Sequence, residues 1–366
     1  MKLLFLSFAL VLLFLLFVTA PSTFAQSSGS NQPNLTINAE MRTEVIDGVI
    51  KLLNENYVFP EMAAKIEKAI RDHQRKKDYD AITSAEAFAQ MLTSQLQEVS
   101  EDKHLRVRYS NNPIPPEVRD FKPSPQQLEQ IREFLRVSNC SFEKVEQLPG
   151  NVGYVNFRQF RPPEMCAETV VAAMSFLAGT DALIIDLRRN SGGEEEMLAF
   201  FASYLFDSQP VHLHDTHFRL DKDTQQWWTL PYVPGKRFGG SKPVYVLTAK
   251  RTFSAAEALA YHLKNLKRAT IVGETTAGGA NPGGTRRVTE HFSIFIPVGR
   301  TINPITKTNW EGTGVKPDIE VPADRALKVA HLAALKKIME TTTDEQRKKS
   351  IQQEIENLQK ELDSGK

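Results

Sequence analysis

Ala182-Leu-Ile-Ile-Asp186-Leu-Arg-Arg-Asn-Ser-Gly-Gly193 is the stretch on which the fold reading turns. Ala182 to Asp186 is a short continuous apolar run, the pattern of a strand in a sheet covered on both faces. A helical stretch, Glu194 to Leu205, follows the paired glycines. Glycines at such a strand-to-helix turn let backbone N–H groups face an anion with no Cβ in the way. Those donors suit a phosphate or an oxyanion hole, and the same pair also serves a plain chain reversal. Working outward, Tyr154–Phe157, Val244–Leu247 and Ala269–Val272 read as strands, and Glu168–Leu177 and Ala255–Leu266 as helices. This β-α-β-α-β order predicts a layered α/β domain.

Upstream, from Ala39 to about Val99, the period is helical. Val45, Ile46, Val49, Ile50, Leu52 and Leu53 mark a first helix. Met62, Ile66 and Ile70 mark a second, opened by Pro60, and Phe88, Met91, Leu92 and Leu96 a third, capped by Thr83-Ser-Ala-Glu86. Together they predict a small three-helix bundle. Leu105–Tyr109 alternates like a strand, and a Pro-rich connection follows. Near the end, Ile351, Ile355, Leu358 and Leu362 form one helical stripe, expected to pack on its own domain, with pairing of two subunits as the alternative. The expected division is a signal peptide (1–25), a flexible segment (26–38), the helical bundle (39–110), a connection (111–152), the α/β domain (153–340) and a C-terminal helix (341–366).

The 366 residues include 45 basic and 44 acidic side chains and are 41% hydrophobic. This composition excludes a disordered chain, a collagen-like repeat and a disulfide scaffold. The even charge balance argues against nucleic acid as a partner. Met1-Lys2, the apolar run Leu3–Val18 and the small-residue exit Thr23-Phe-Ala25 read as a cleaved secretory signal, placing the protein outside the cell or in the periplasm. An uncleaved anchor is the alternative. Cys140 and Cys166 are the only thiols, and sequence leaves open whether they pair. His212-x-His214-x-x-His217 has metal-like spacing, with His212 and His214 expected on one strand face. Asp215 is its only companion carboxylate, so a strand or loop role is expected there, with neither metal nor other cofactor.

Two further turns follow apolar strands. In Thr252-Phe-Ser-Ala-Ala-Glu257, Ser254 sits where a loop enters a helix, a place suited to a nucleophile, although this turn by itself favours a plain N-cap. Gly273-Glu-Thr-Thr-Ala-Gly-Gly-Ala280, continued by Asn281-Pro-Gly-Gly284, is glycine-rich enough to demand a sharp bend or a close approach.

In combination, Asp186–Gly193, Thr252–Glu257, Ile271-Val-Gly-Glu-Thr-Thr276 and Asn309-Trp-Glu-Gly-Thr-Gly-Val-Lys-Pro-Asp318 resemble the tail-specific (carboxyl-terminal processing) serine peptidases. That clan includes the tricorn core and the repeats of interphotoreceptor retinoid-binding protein. The resemblance, over about residues 39–335, implies a crotonase-like ββα core and peptide hydrolysis through an acyl-enzyme. Two departures refine it. The processing enzymes carry a Lys base in the glycine-rich loop, where this chain has Gly278-Gly-Ala280, and they insert a PDZ domain, for which Tyr109 to Gly153 leaves no room. The PDZ-less branch is therefore the better match.

That branch implies a His base before the core, which falls on His104 in Glu101-Asp-Lys-His-Leu105, and an orienting carboxylate at Glu311. A neutral imidazole suits the base role, because a free serine hydroxyl is a poor nucleophile. The serine that precedes the His in tricorn is replaced by Lys103, leaving Asp102, Thr313 or a water as the link to Glu311. The implied oxyanion donors are Gly193 or Gly192 together with Ala255. Glu257 and Glu274 are expected to support the helix and loop. The resulting expectation is an exported serine endopeptidase acting on polypeptides. A non-catalytic module holding an apolar ligand, such as a lipid or retinoid, is the alternative.

Overall fold

The computed structural model describes residues 35–116 and 124–364; the expected signal peptide lies outside them. At the N-terminal end are helices α1 (Ala39–Asn56), α2 (Pro60–Arg75) and α3 (Ala85–Ser100). Asn38 and Ser84 accept N–H bonds from Met41 and Ala87, so each closes an open helix start, and Pro60 begins α2 where no N–H partner is needed. Val49, Leu53, Ile66, Phe88 and Leu92 interlock in one core. Strand β1 (Arg106–Tyr109) follows α3 and contributes Val107 to that core.

The chain continues through α4 (Pro125–Val137), β2 (Phe142–Leu148), β3 (Val152–Phe157), α5 (Pro163–Leu177), β4 (Ala182–Asp186) and α6 (Glu195–Ser203). Next come β5 (His212–Phe218), β6 (Thr224–Trp228), β7 (Val244–Thr248), α7 (Ala255–Asn265) and β8 (Thr270–Gly273). The last elements are β9 (Gly283–Arg287), β10 (Phe292–Pro297), β11 (Gly299–Ile302), β12 (Ile319–Glu320), α8 (Ala326–Thr341) and α9 (Glu345–Asp363). A six-stranded mixed sheet runs β12-β8-β7-β4-β3-β2, parallel except for β2. In β4, Leu183 and Ile185 face a core shared with α5, α6 and α7, whereas Ala182 and Ile184 face α8 and α9. Both faces are covered, which explains the unbroken apolar run. Two small antiparallel sheets, β1-β10-β9 and β11-β5-β6, flank it. The first joins the helical core through Phe292, Ile294 and Ile296.

Three features differ from the sequence expectation or settle what it left open. The stretch 111–152, expected as a connection, contains α4 and β2. Ser124 and Gln127 cap α4 reciprocally, yet α4 buries only Leu135, so its apolar stripe is too thin to stand out among the prolines. A bulge separates His212 from His214, and the histidines diverge: His212 bonds Asp215, His214 bonds Glu195 and His217 bonds Thr224. They do not share a ligand centre, because the bulge breaks the alternation that would align them. Finally, Cys140 and Cys166 are joined in a disulfide that ties the start of β2 to α5.

The stripe on α9 packs inward, with Ile351, Leu358 and Leu362 buried against α8. Among the described residues no helix is long and apolar enough to cross a membrane.

The disulfide closes a loop of 26 residues. Replacing Cys140 and Cys166 by Ser is expected to lower unfolding free energy by about 2–4 kcal/mol, measured by urea denaturation. Thiol titration of the unfolded, unreduced protein should find no free thiol.

Candidate active site

Strands β4 and β7 are parallel neighbours, so the loops leaving their carboxyl ends emerge side by side. Hydrogen bonds lock them together: Thr252 Oγ1 donates to Leu187 O (2.8 Å) and Phe253 N to Asn190 O (3.1 Å). The glycine-rich loop after β8 joins through Ala277 N, which donates to Thr252 O (3.1 Å). The 309–318 segment adds Trp310 Nε1 to Gly279 O (2.9 Å) and Gly312 N to Gly278 O (3.1 Å). All four sequence signatures therefore converge on one place.

Ser254 stands at the entrance of α7 with φ 55° and ψ −125°. A non-glycine residue held at such a positive φ costs about 1–3 kcal/mol, and the surroundings must impose it. Here Glu257 does so. Its fully buried carboxylate accepts from Ser254 N (2.9 Å), Gly278 N (2.6 Å), Gly279 N (2.9 Å) and Thr276 Oγ1 (2.5 Å). One side chain thus fixes both the serine turn and the glycine-rich loop. Burial still pushes its proton affinity up, against the pull of those four donors.

Gly192 lies directly against the serine. A Cβ there would come within 2.7 Å of Ser254 Cβ and 2.9 Å of Ala255 N, so no other residue fits. Its own N–H is donated to Asn190 Oδ1 (2.9 Å) and is not free to meet an oxyanion. The N–H groups of Gly193 and Ala255 donate to no acceptor among the described residues.

His104 reaches the site from the segment between α3 and β1. Its ring packs on Phe253, with centroids 4.4 Å apart, and stacks on Phe295 at 5.6 Å. Gly279 makes room: a Cβ there would stand 2.7 Å from His104 Cε1 and 2.3 Å from Phe253 Cε2. Lys103 Nζ ties the same segment to Ala277 O (2.5 Å). No hydrogen bond joins the imidazole to Ser254. The ring is 7% exposed and Nδ1 has no partner. Burial, reinforced by Arg106, holds the imidazole down to about 4, against an ordinary value near 6.5.

Glu311 Oε2 accepts from Ala280 N (2.6 Å) and Asn281 N (3.2 Å), leaving Oε1 buried and unpaired. One ligand atom from each of Asp102, His104 and Glu311 lies within 4.8 Å of the others. The set has the donor types of a cation site. Burial, then the neighbouring Asp102, pushes the Glu311 carboxyl well up. Asp102 is held by Tyr57 OH (3.0 Å) and by His104 N (2.9 Å), and its Oδ1 is 3.8 Å from His104 Nδ1. Of the links weighed from sequence, Asp102 lies beside the imidazole without a hydrogen bond to its Nδ1. Thr313 instead turns its hydroxyl to Trp310 O and Gly314 O. Sequence reasoning missed Tyr57 and Phe295, and nothing in their local pattern marks them. The fourfold role of Glu257 is hinted at by its Ser-x-x-Glu spacing from Ser254.

Two stability measurements test this arrangement. Ser254→Gly is expected to exceed Ser254→Ala in unfolding free energy by about 1 kcal/mol, because only glycine relaxes at that φ. Glu257→Ala should cost about 3–5 kcal/mol by leaving buried donors unmatched, read as a lowered urea midpoint.

Residues 151–321 match the model of peptidase family S41, and residues 35–139 match that of the N-terminal domain of peptidase S41 in eukaryotic IRBP. Chloroplastic carboxyl-terminal-processing peptidase 2 of Arabidopsis thaliana is 28% identical over 194 residues, covering 48% of this chain and 34% of that protein. A carboxyl-terminal-processing protease of Synechocystis sp. is 30% identical over 158 residues, covering 42% and 34%. The chain thus spans about a third of the length of these curated relatives. Mature CPAF shares the fold, with a TM-score of 0.56 at 12% identity, covering 83% of this chain and 99% of that one. The sheet core and the N-terminal helices are thus each matched by a model of peptidase family S41, the one over residues 151–321 and the other over residues 35–139.

Proposed function

We propose that the protein is an exported serine endopeptidase in which Ser254 is the nucleophile, His104 the base and Glu311 the group that orients the base. The observation carrying this reading is the strained Ser254 beside two uncommitted N–H groups, those of Gly193 and Ala255. Strain of this kind survives where it presents a reactive side chain. The matches to the peptidase family S41 models and the names of the relatives, which are processing peptidases, support a polypeptide substrate. The disulfide supports an oxidising compartment, as expected for an exported chain.

In this mechanism His104 Nε2 takes the Ser254 proton as Oγ attacks the scissile carbonyl carbon. The tetrahedral oxyanion is met by Gly193 N–H and Ala255 N–H, worth roughly 3–4 kcal/mol per donor in comparable sites. His104 then passes its proton to the leaving amine, and water hydrolyses the acyl-enzyme by the same route in reverse. Gly192 acts by its lack of a side chain, and Asn190 by holding that turn. Glu311 Oε1 and His104 Nδ1 are the two unpaired buried atoms that would satisfy one another.

We read the parallel strands β3, β4, β7 and β8 with their helices as the crotonase-like ββα core, and α1–α3 as a helical bundle on its flank. The hydrophobic core built by those three helices, distinct from the cores on the two faces of the six-stranded sheet, supports this division into a bundle (39–110) and a catalytic domain (153–340), with β10 of the latter reaching across to complete it.

A fluorophosphonate probe should label the wild-type protein and fail to label Ser254→Ala, with labelling by His104→Ala slowed by about 10²–10⁴-fold. Saturable lipid or retinoid binding without labelling would favour the apolar-ligand module instead. Because His104 is held down to about 4, it stays neutral through pH 5–8, and the rate of labelling should fall only as pH drops through that value. A labelling rate that does not fall on acidification at all would remove His104 as the base.

A further inference from the structure

The sheet β1-β10-β9 buries one face against the N-terminal helices, and its other face borders the candidate catalytic base. The register places Arg106, Phe295 and Thr285 in one row of that outer face and Arg108, Ser293 and Arg287 in the next. Arg106 and Arg108 are exposed and Arg287 is half-buried. Neighbouring strands lie about 4.8 Å apart, so three guanidinium stems rise from a patch about 10 Å wide. No carboxylate among the described residues forms an ion pair with any of them. Arg106 Nε is anchored on Lys103 O (3.2 Å) and Arg287 Nε on Ile114 O (2.8 Å), which leaves the outer N–H groups of each fork unspent.

Crowding like charges on one sheet face is destabilising, and a chain of net charge +1 has acids enough to neutralise it. We propose that this face is a substrate subsite that takes acidic side chains of the polypeptide being cleaved. The proposal rests on the peptidase reading of the neighbouring site. In an extended peptide, side chains two residues apart are about 6.8 Å from one another, the same interval that separates Arg106 from Arg108 along β1. Alternate Asp or Glu residues would thus meet successive rows, and guanidinium forks bind carboxylates through paired, charge-assisted bonds. The subsite is continuous with the chemistry. Arg106 is two residues from His104, Phe295 stacks on that imidazole, and β9 begins two residues after Asn281, whose N–H binds Glu311. Arg106 also depresses the proton affinity of His104, so a carboxylate seated on Arg106 strengthens the base while it anchors the peptide.

The test uses the Ser254→Ala protein and two fluorescein-labelled peptides, one of alternating Glu and Ala and one of alternating Gln and Ala, read by anisotropy. The Glu peptide should bind about 10-fold or more tightly at low ionic strength, with the margin shrinking as salt is added. In Arg108→Gln and Arg287→Gln the discrimination should fall toward unity, and Arg108→Glu should shift preference toward a Lys peptide. Equal affinity for the Glu and Gln peptides overturns the subsite. Digestion of a peptide library by wild-type protein gives the second reading, with Asp and Glu expected to be enriched within a few residues of the cut. Cleavage without that enrichment overturns the subsite and leaves the peptidase. Selective binding of the Glu peptide with no cleavage supports the subsite and overturns the peptidase.

Discussion

The buried carboxylate of Glu257 is the constraint on which the candidate site depends. It lies where three separate pieces of chain meet, and it accepts from the serine turn, from two glycine amides and from a threonine hydroxyl. A buried carboxyl is tolerable only with its acceptor capacity filled, so the chain must bring those donors to it. The helix start, the glycine-rich loop and the 309–318 segment are thereby held in one geometry. Val315 N bonding to Thr276 Oγ1 extends the same network by one further link.

A second consequence follows from burial around the imidazole. His104, Asp102 and Glu311 occupy a region where charge is costly, so the ring is held neutral and both carboxyls take up protons more readily than usual. A neutral imidazole is the form that accepts a proton from a hydroxyl. The same burial leaves Nδ1 and Oε1 unpaired, a cost tolerated in native structures chiefly where function requires it. The aromatic rings of Phe253 and Phe295 confine the imidazole from two sides and limit its orientation without hydrogen bonds.

The helical elements and the central strands were legible because each obeys a local rule. The 3.6-residue spacing of Val45, Val49 and Leu53, the Pro60 start and the Ser84 cap act within a few residues, as does the apolar run 182–186. Helix α4 escaped because one buried leucine makes no periodic signal, and the edge strands β6, β9 and β11 because their residues are mixed in character. Ser254, His104 and Glu311 were found through family-like motifs and not through periodicity. Tyr57 and Phe295 went unnoticed because each matters only through a neighbour distant in sequence.

Sequence alone therefore determined the layered α/β class, the N-terminal helices and the short runs that carry the candidate chemistry, since these express spacing and turn propensities along the chain. Tertiary structure alone decided that Gly192 is spent on close approach and not on an oxyanion, that Cys140 meets Cys166, and that the three histidines of β5 part company. It alone aligned Arg106, Arg108 and Arg287 on one face. Each of those outcomes depends on which atoms share a volume after folding, and adjacency in space between residues scores apart in sequence leaves no local trace.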